Sequence, residues 1–148
     1  MVSQSTPKER PMNVRIGVVA SEFNYDVTSL MVERAKEEID FLGVGLETVV
    51  KVPGVFDMPL AVARLMKRPT VDAVVVLGAV IEGETSHDEL VANQSARKLL
   101  DISVLEGKPL GLGISGPGET RLQAQDRIEK AADAVRAVVK MARRLRKL

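Results

Sequence analysis

Four short β-branched runs, at 14–20, 46–52, 73–78 and 110–115, alternate with longer segments of helical spacing, and this alternation constrains the fold most strongly. The first helical segment carries apolar Leu30, Ala35, Ile39 and Leu42 beside a mixed stripe of Leu30, Arg34, Glu37, Glu38 and Phe41, with Gly43 as its C-terminal cap. Phe41, inside that helix, is expected in the core. A short second helix is expected over 59–67, with Pro59 in its first turn. The third should run from near His87 to Glu106, turning Val91, Ala92, Ser95, Ala96, Leu99 and Ile102 toward the sheet. Residues 121–148 are nearly continuous helix formers, broken once.

A strand–helix order repeated in this way predicts a parallel sheet with helices on both faces. Right-handed crossovers leave few topologies, so the expected class is α/β, a flavodoxin-like doubly wound four-stranded parallel sheet. Residues 1–12 read as a polar N-terminal arm and 13–148 as one domain, with no internal repeat. A chain of 148 residues buries roughly 68–70% of the surface its unfolded form exposes, enough for a substantial core.

Composition narrows the chemistry. There is no cysteine, which excludes disulfides, thiolate metal sites and cysteine nucleophiles, and a single histidine argues against an imidazole metal site. No metal and no cofactor are expected. The 21 basic and 20 acidic residues nearly cancel, and the basic end at 140–147 reads as cations favoured by a helix C-terminus, so no nucleic-acid partner is expected. No apolar run approaches a membrane span and the first residues lack a signal peptide's apolar stretch, so a cytoplasmic location is the expectation.

In open α/β sheets ligands bind outside the carboxyl ends of the strands, and the unusual residues collect there. The expected strands end in Ser21-Glu-Phe-Asn24, Val52-Pro-Gly-Val-Phe-Asp57, the segment from Gly78 to His87, and Ile114-Ser-Gly-Pro-Gly118. Phe23 beside Asn24 and Phe56 beside Asp57 either plug the top of the sheet or bracket a flat polar ring. Gly111 to Gly116 spells the dinucleotide pattern GxGxxG, but it lies inside the last expected strand. Close packing and a turn at 116–118 explain it better.

The stretch GETSHDEL at 83–90 holds the only histidine. Ser86 and Glu89 fit a capping box, worth about 1 kcal/mol, which accounts for a helix start but not for His87. Free amides at such a start form an anion site, and Gly83 lets the backbone approach a phosphate. The same positive end disfavours a protonated imidazole, so His87 is expected neutral and able to accept a proton. The acidic neighbours Glu82, Glu84, Asp88 and Glu89 call for a positive partner, and Arg127 is the candidate.

Together Phe23-Asn24, the VPGxFDxP of 52–59, the GxVIxGxTxH of 78–87 and the QAxxR of 123–127 resemble the 6,7-dimethyl-8-ribityllumazine synthase family, most closely its archaeal branch. The resemblance covers nearly all of the chain, from Asn13 onward. It implies condensation of a ribitylamino-pyrimidinedione with 3,4-dihydroxy-2-butanone 4-phosphate. By that resemblance Phe23 and Asn24 meet the pyrimidine, Val55, Phe56 and Asp57 hold the pyrimidine and ribityl chain, and Ala79, Val80 and Ile81 line the ring pocket. Gly83, Glu84, Thr85 and Arg127 would bind phosphate, and His87 would transfer protons. It also implies a homopentamer, or an assembly of pentamers, with sites between subunits and Leu112 and Arg127 supplied by the neighbour. Asp57 stands where many members have Glu, Leu112 where many have Phe, and Ser86 replaces a common Thr. The Gly-rich link common after the motif arginine is absent. Two other readings are an archaeal-type riboflavin synthase, which dismutates two lumazines, and a non-catalytic flavin or lumazine carrier.

Overall fold

The computed structural model describes residues 13–83 and 87–148. Its strands are β1 (Arg15–Ser21), β2 (Gly45–Val52), β3 (Ala73–Ile81) and β4 (Leu110–Glu119). The helices are α1 (Tyr25–Phe41), α2 (Met58–Met66), α3 (Asp88–Glu106), α4 (Arg121–Asp126) and α5 (Lys130–Leu145). All strand pairs are parallel, in the order β2-β1-β3-β4. This is the doubly wound α/β sheet that the alternation predicts.

Side-chain alternation along β3 divides the core. Ala73, Val75, Leu77, Ala79 and Ile81 pack on one face with α1 and α5, while Val74, Val76 and Val80 pack on the other with α2 and α3. Because β3 is buried along its whole length it shows no wet face, as expected of an inner parallel strand. No change of pattern therefore marks its end, and Ala79, Val80 and Ile81 belong to the strand rather than to the loop after it.

β4 also runs further than expected. Ser115 pairs with Ala79 and Glu119 with Ile81, so 116–118 form a bulge opposite Val80 rather than a terminal turn. An edge strand tolerates Pro117 there. The glycines of the GxGxxG match serve packing: a Cβ at Gly111 would stand 2.7 Å from the Ala134 carbonyl oxygen, so α5 lies directly on this strand.

One helical expectation is corrected. Phe41 is 82% exposed. The buried face of α1 is set by Val27, Met31, Ala35, Glu38 and Ile39, and Phe41 follows Leu30, Arg34 and Glu37 along the opposite stripe. The residue type was apolar, but its helical phase points outward; Leu30 is exposed for the same reason. In α3, Ala92, Ser95, Leu99 and Ile102 are buried as expected, while Val91 and Ala96 are half-buried. Gly43, at φ 71°, follows the end of α1 as a left-handed cap.

Buried Glu38 is neutralised by Arg34 at 3.1 Å and Arg136 at 3.1 Å, joining α1 to α5. Glu129 extends this network, accepting from Arg34 Nε at 2.9 Å and Nη2 at 3.1 Å. The Arg34 hydrogen bonds, helped by Arg136, hold the Glu129 carboxyl below the ordinary glutamate range. A lowered folded value stabilises the fold above the unfolded value and is lost as pH falls through the folded one. Glu129→Gln should therefore melt slightly earlier than the parent at neutral pH and converge with it in acid, because exposed pairs contribute little. Melting curves at both pH values check this; a gap that stays constant would mean the charge is not responsible.

Candidate active site

The switch point of this sheet lies between β1 and β3, whose connections leave in opposite directions. A cavity of about 450 Å³ opens at their carboxyl ends, lined by Phe23, Asn24, Gly54, Val55, Phe56, Asp57, Ala79, Val80, Ile81, Asp88 and Val91. Every pyrimidine-pocket residue inferred from the motifs lines it except Leu112. A second cavity of about 430 Å³ between α1 and β2 is lined by Tyr25, Glu33, Lys36 and Lys51, among others, and by none of the inferred residues.

Each wall has a local cause. Glu22 N–H donates to Val52 O at 2.7 Å and Phe23 N–H to Pro53 O at 3.1 Å, tying the exit of β1 to the exit of β2. The Phe23 ring then lies over Gly54, where an added Cβ would stand 3.1 Å from it. Asn24 adopts a left-handed conformation, φ 62°, which asparagine tolerates better than most residues. Its amide donates to Ala79 O at 2.9 Å, while its carbonyl accepts from Arg121 Nη2 at 2.9 Å. Asn24 therefore bridges β1 to β3 beneath the cavity. Its place in the motif was legible, but the Arg121 contact had no sequence signal.

A single 3-10 turn, Val55–Asp57, leads into α2. The Asp57 carboxylate accepts from Gly54 N–H at 3.0 Å, so its Oδ2 holds the turn at the cavity wall. Phe23 and Phe56 are 70% and 68% exposed, so they do not plug the sheet. They stand at the cavity mouth as aromatic faces open to a flat ring or to a second subunit.

Of the phosphate and proton-transfer candidates, the described residues Gly83, His87 and Arg127 are not part of this lining. Gly83, exposed at φ 81°, follows β3 closely, and His87 occupies the N-cap position of α3, its carbonyl accepting from Val91 N–H at 2.8 Å. The helix thus starts one residue after His87, whereas the capping-box reading put the cap at Ser86. Glu84, Thr85 and Ser86 lie outside the described residues, as do residues 1–12, where the sequence suggests an arm. Leu112 is half-exposed on edge strand β4, away from the cavity of its own chain.

Arg127 sits in the break between α4 and α5 and donates through Nη1 to Glu119 at 3.0 Å. Glu119 escaped the sequence reading, as did the capping box in which Thr120 and Gln123 exchange hydrogen bonds at the start of α4. The TxxQ spacing could have revealed the box; nothing could have revealed the burial of Glu119. Among the described residues no helix is long and apolar enough to cross a membrane.

Comparison with known proteins adds identity to this geometry. The family model for 6,7-dimethyl-8-ribityllumazine synthase matches residues 13–146. Proteins of that name from Pyrobaculum arsenaticum and Staphylothermus marinus are 59% and 57% identical; the first match covers 91% of each chain and the second 90% of each. One from Methanocaldococcus jannaschii is 53% identical over 91% of this chain and 96% of its own.

Proposed function

This chain belongs to the 6,7-dimethyl-8-ribityllumazine synthase family, and we propose that it condenses 5-amino-6-(D-ribitylamino)uracil with 3,4-dihydroxy-2-butanone 4-phosphate. The observation that carries this reading is the cavity at the switch point, where two open aromatic faces, a carboxylate and the backbone of a strand end converge. The substrate amine attacks the butanone carbonyl and water leaves as the imine forms. Phosphate is then eliminated, and the second amine closes the ring with loss of another water. The substrate supplies its own nucleophile, so no covalent intermediate with the protein is needed. Orientation supplies several kcal/mol of the barrier, and a positioned acid or base adds about 10²–10⁴-fold.

In this reading Phe23 stacks on the pyrimidine, and Asp57 with the backbone of Val55 and Phe56 holds the ring and ribityl chain. Ala79, Val80 and Ile81 line the ring pocket. Gly83, Glu84, Thr85 and Arg127 bind phosphate, and His87 moves protons beside the reacting carbonyl. The working form is a homopentamer, free or assembled further, in which Leu112 and Arg127 serve the neighbouring subunit's site. The exposed Phe23 and Phe56, and an exposed Leu112 that does not line the cavity of its own chain, support sites completed between copies.

Purified protein given both substrates should develop lumazine fluorescence. A folded protein that makes none would reject the synthase reading, and riboflavin formed from lumazine alone would favour the dismutating alternative. Arg127→Ala should raise KM for the butanone phosphate roughly 10- to 100-fold, the worth of a charged hydrogen bond. It should also lower Tm, because buried Glu119 loses its counter-charge. Steady-state kinetics on the intact oligomer check the first effect; an unchanged KM would remove Arg127 from the site.

A further inference from the structure

Glu119 is 0% exposed, and among the described residues Glu38 is the only other buried carboxylate. Burying a carboxylate costs several kcal/mol unless it is paired and hydrogen-bonded, so its partners indicate its use. Oε2 accepts from Ser115 Oγ at 2.7 Å and Oε1 accepts from Arg127 Nη1 at 3.0 Å. The β4 bulge creates the arrangement: Ser115 and Glu119, four apart in sequence, pair with Ala79 and Ile81, only two apart, which brings their side chains within hydrogen-bond reach. The backbone is fixed as well, since Glu82 N–H donates to Glu119 O at 2.7 Å. Arg127 itself remains 43% exposed, with one nitrogen held by Glu119.

We propose that Glu119 is a positioning residue: it clamps one edge of the Arg127 guanidinium so that the remaining donors meet the phosphate of the substrate in a fixed orientation. This rests on the reading of Arg127 as the phosphate-binding arginine. An arginine side chain loses rotamer entropy when it is held by a ligand, and fixing it before the ligand arrives removes that cost from binding. Ser115 holds the other carboxylate oxygen, so Ser115, Glu119 and Arg127 form one chain of hydrogen bonds from strand to anion.

The sign of the effect separates this role from simple electrostatics. Glu119→Gln removes a negative charge beside the arginine, and charge alone would tighten phosphate binding. Positioning predicts the opposite: KM for the butanone phosphate rises on the order of tenfold, inhibition by inorganic phosphate weakens in parallel, and KM for the pyrimidine stays the same. Ser115→Ala should move the same constants in the same direction by less, and it carries the test if Glu119→Gln does not fold. In an Arg127→Ala background, Glu119→Gln should add nothing further. A folded Glu119→Gln protein with unchanged or lower KM for the butanone phosphate overturns the inference, and so does an equal rise for both substrates. If Arg127→Ala raises that KM and Glu119→Gln does not, the inference fails alone. If Arg127→Ala leaves it unchanged, the phosphate reading and the inference fail together.

Discussion

His87→Ala should lower kcat by about 10²- to 10³-fold while leaving turnover measurable and both KM values within a few-fold of the parent. His87 stands at the N-cap of α3, next to Asp88 on the cavity wall. Its side chain makes no cap hydrogen bond, so the imidazole is not required for starting the helix. Orientation of two reactants survives its loss, which is why the rate should fall without vanishing. Single-turnover rates across several pH values are the measurement. A variant that keeps the parent rate at every pH would show that another group, or the substrate itself, carries the proton.

Gly116→Ala should be the most damaging small substitution in β4, costing about 3–4 kcal/mol. Gly116 has φ 91°, a region that L side chains rarely adopt, and a Cβ there would overlap the Val80 carbonyl oxygen. Overpacking against backbone costs roughly 1–3 kcal/mol and the left-handed conformation about 1–2 kcal/mol more. For a chain of this length such a loss lowers Tm by roughly 10 °C. The same bulge sets Glu119, so residual folded protein should also bind the phosphate substrate less well. Calorimetry of the variant checks the stability, and an unchanged Tm would mean that the bulge can open without cost.

The architecture was legible because strand and helix periods alternate without interruption, and the ends of β1 and β2 followed directly from that pattern. The ends of β3 and β4 were not. Ala79 to Ile81 continue a strand buried on both faces, so no change of pattern marks where it stops. In β4 a Gly-Pro-Gly sequence looks like a terminator, yet a bulge at an edge absorbs it and pairing resumes at Glu119. Phe41 departs from the expectation of its residue type because its helical phase puts it outside the buried face of α1. Phe23, Asn24, Phe56 and Asp57, which line the switch-point cavity, were legible as unusual residues at strand ends in a chain with few aromatics, whereas Val55, Ala79, Val80 and Ile81 were marked only by the motifs. Contacts linking residues far apart along the chain left no local signal. The Arg121–Asn24 and Arg136–Glu38 pairs are of this kind, each joining segments about 100 residues apart.

Lumazine and inorganic phosphate, followed together in one reaction containing the purified chain and both substrates, decide whether the chain is a synthase. Equal amounts of the two products are expected at every time point, and neither when either substrate is omitted. Phosphate released without lumazine, or no lumazine from a folded protein, would contradict the synthase reading.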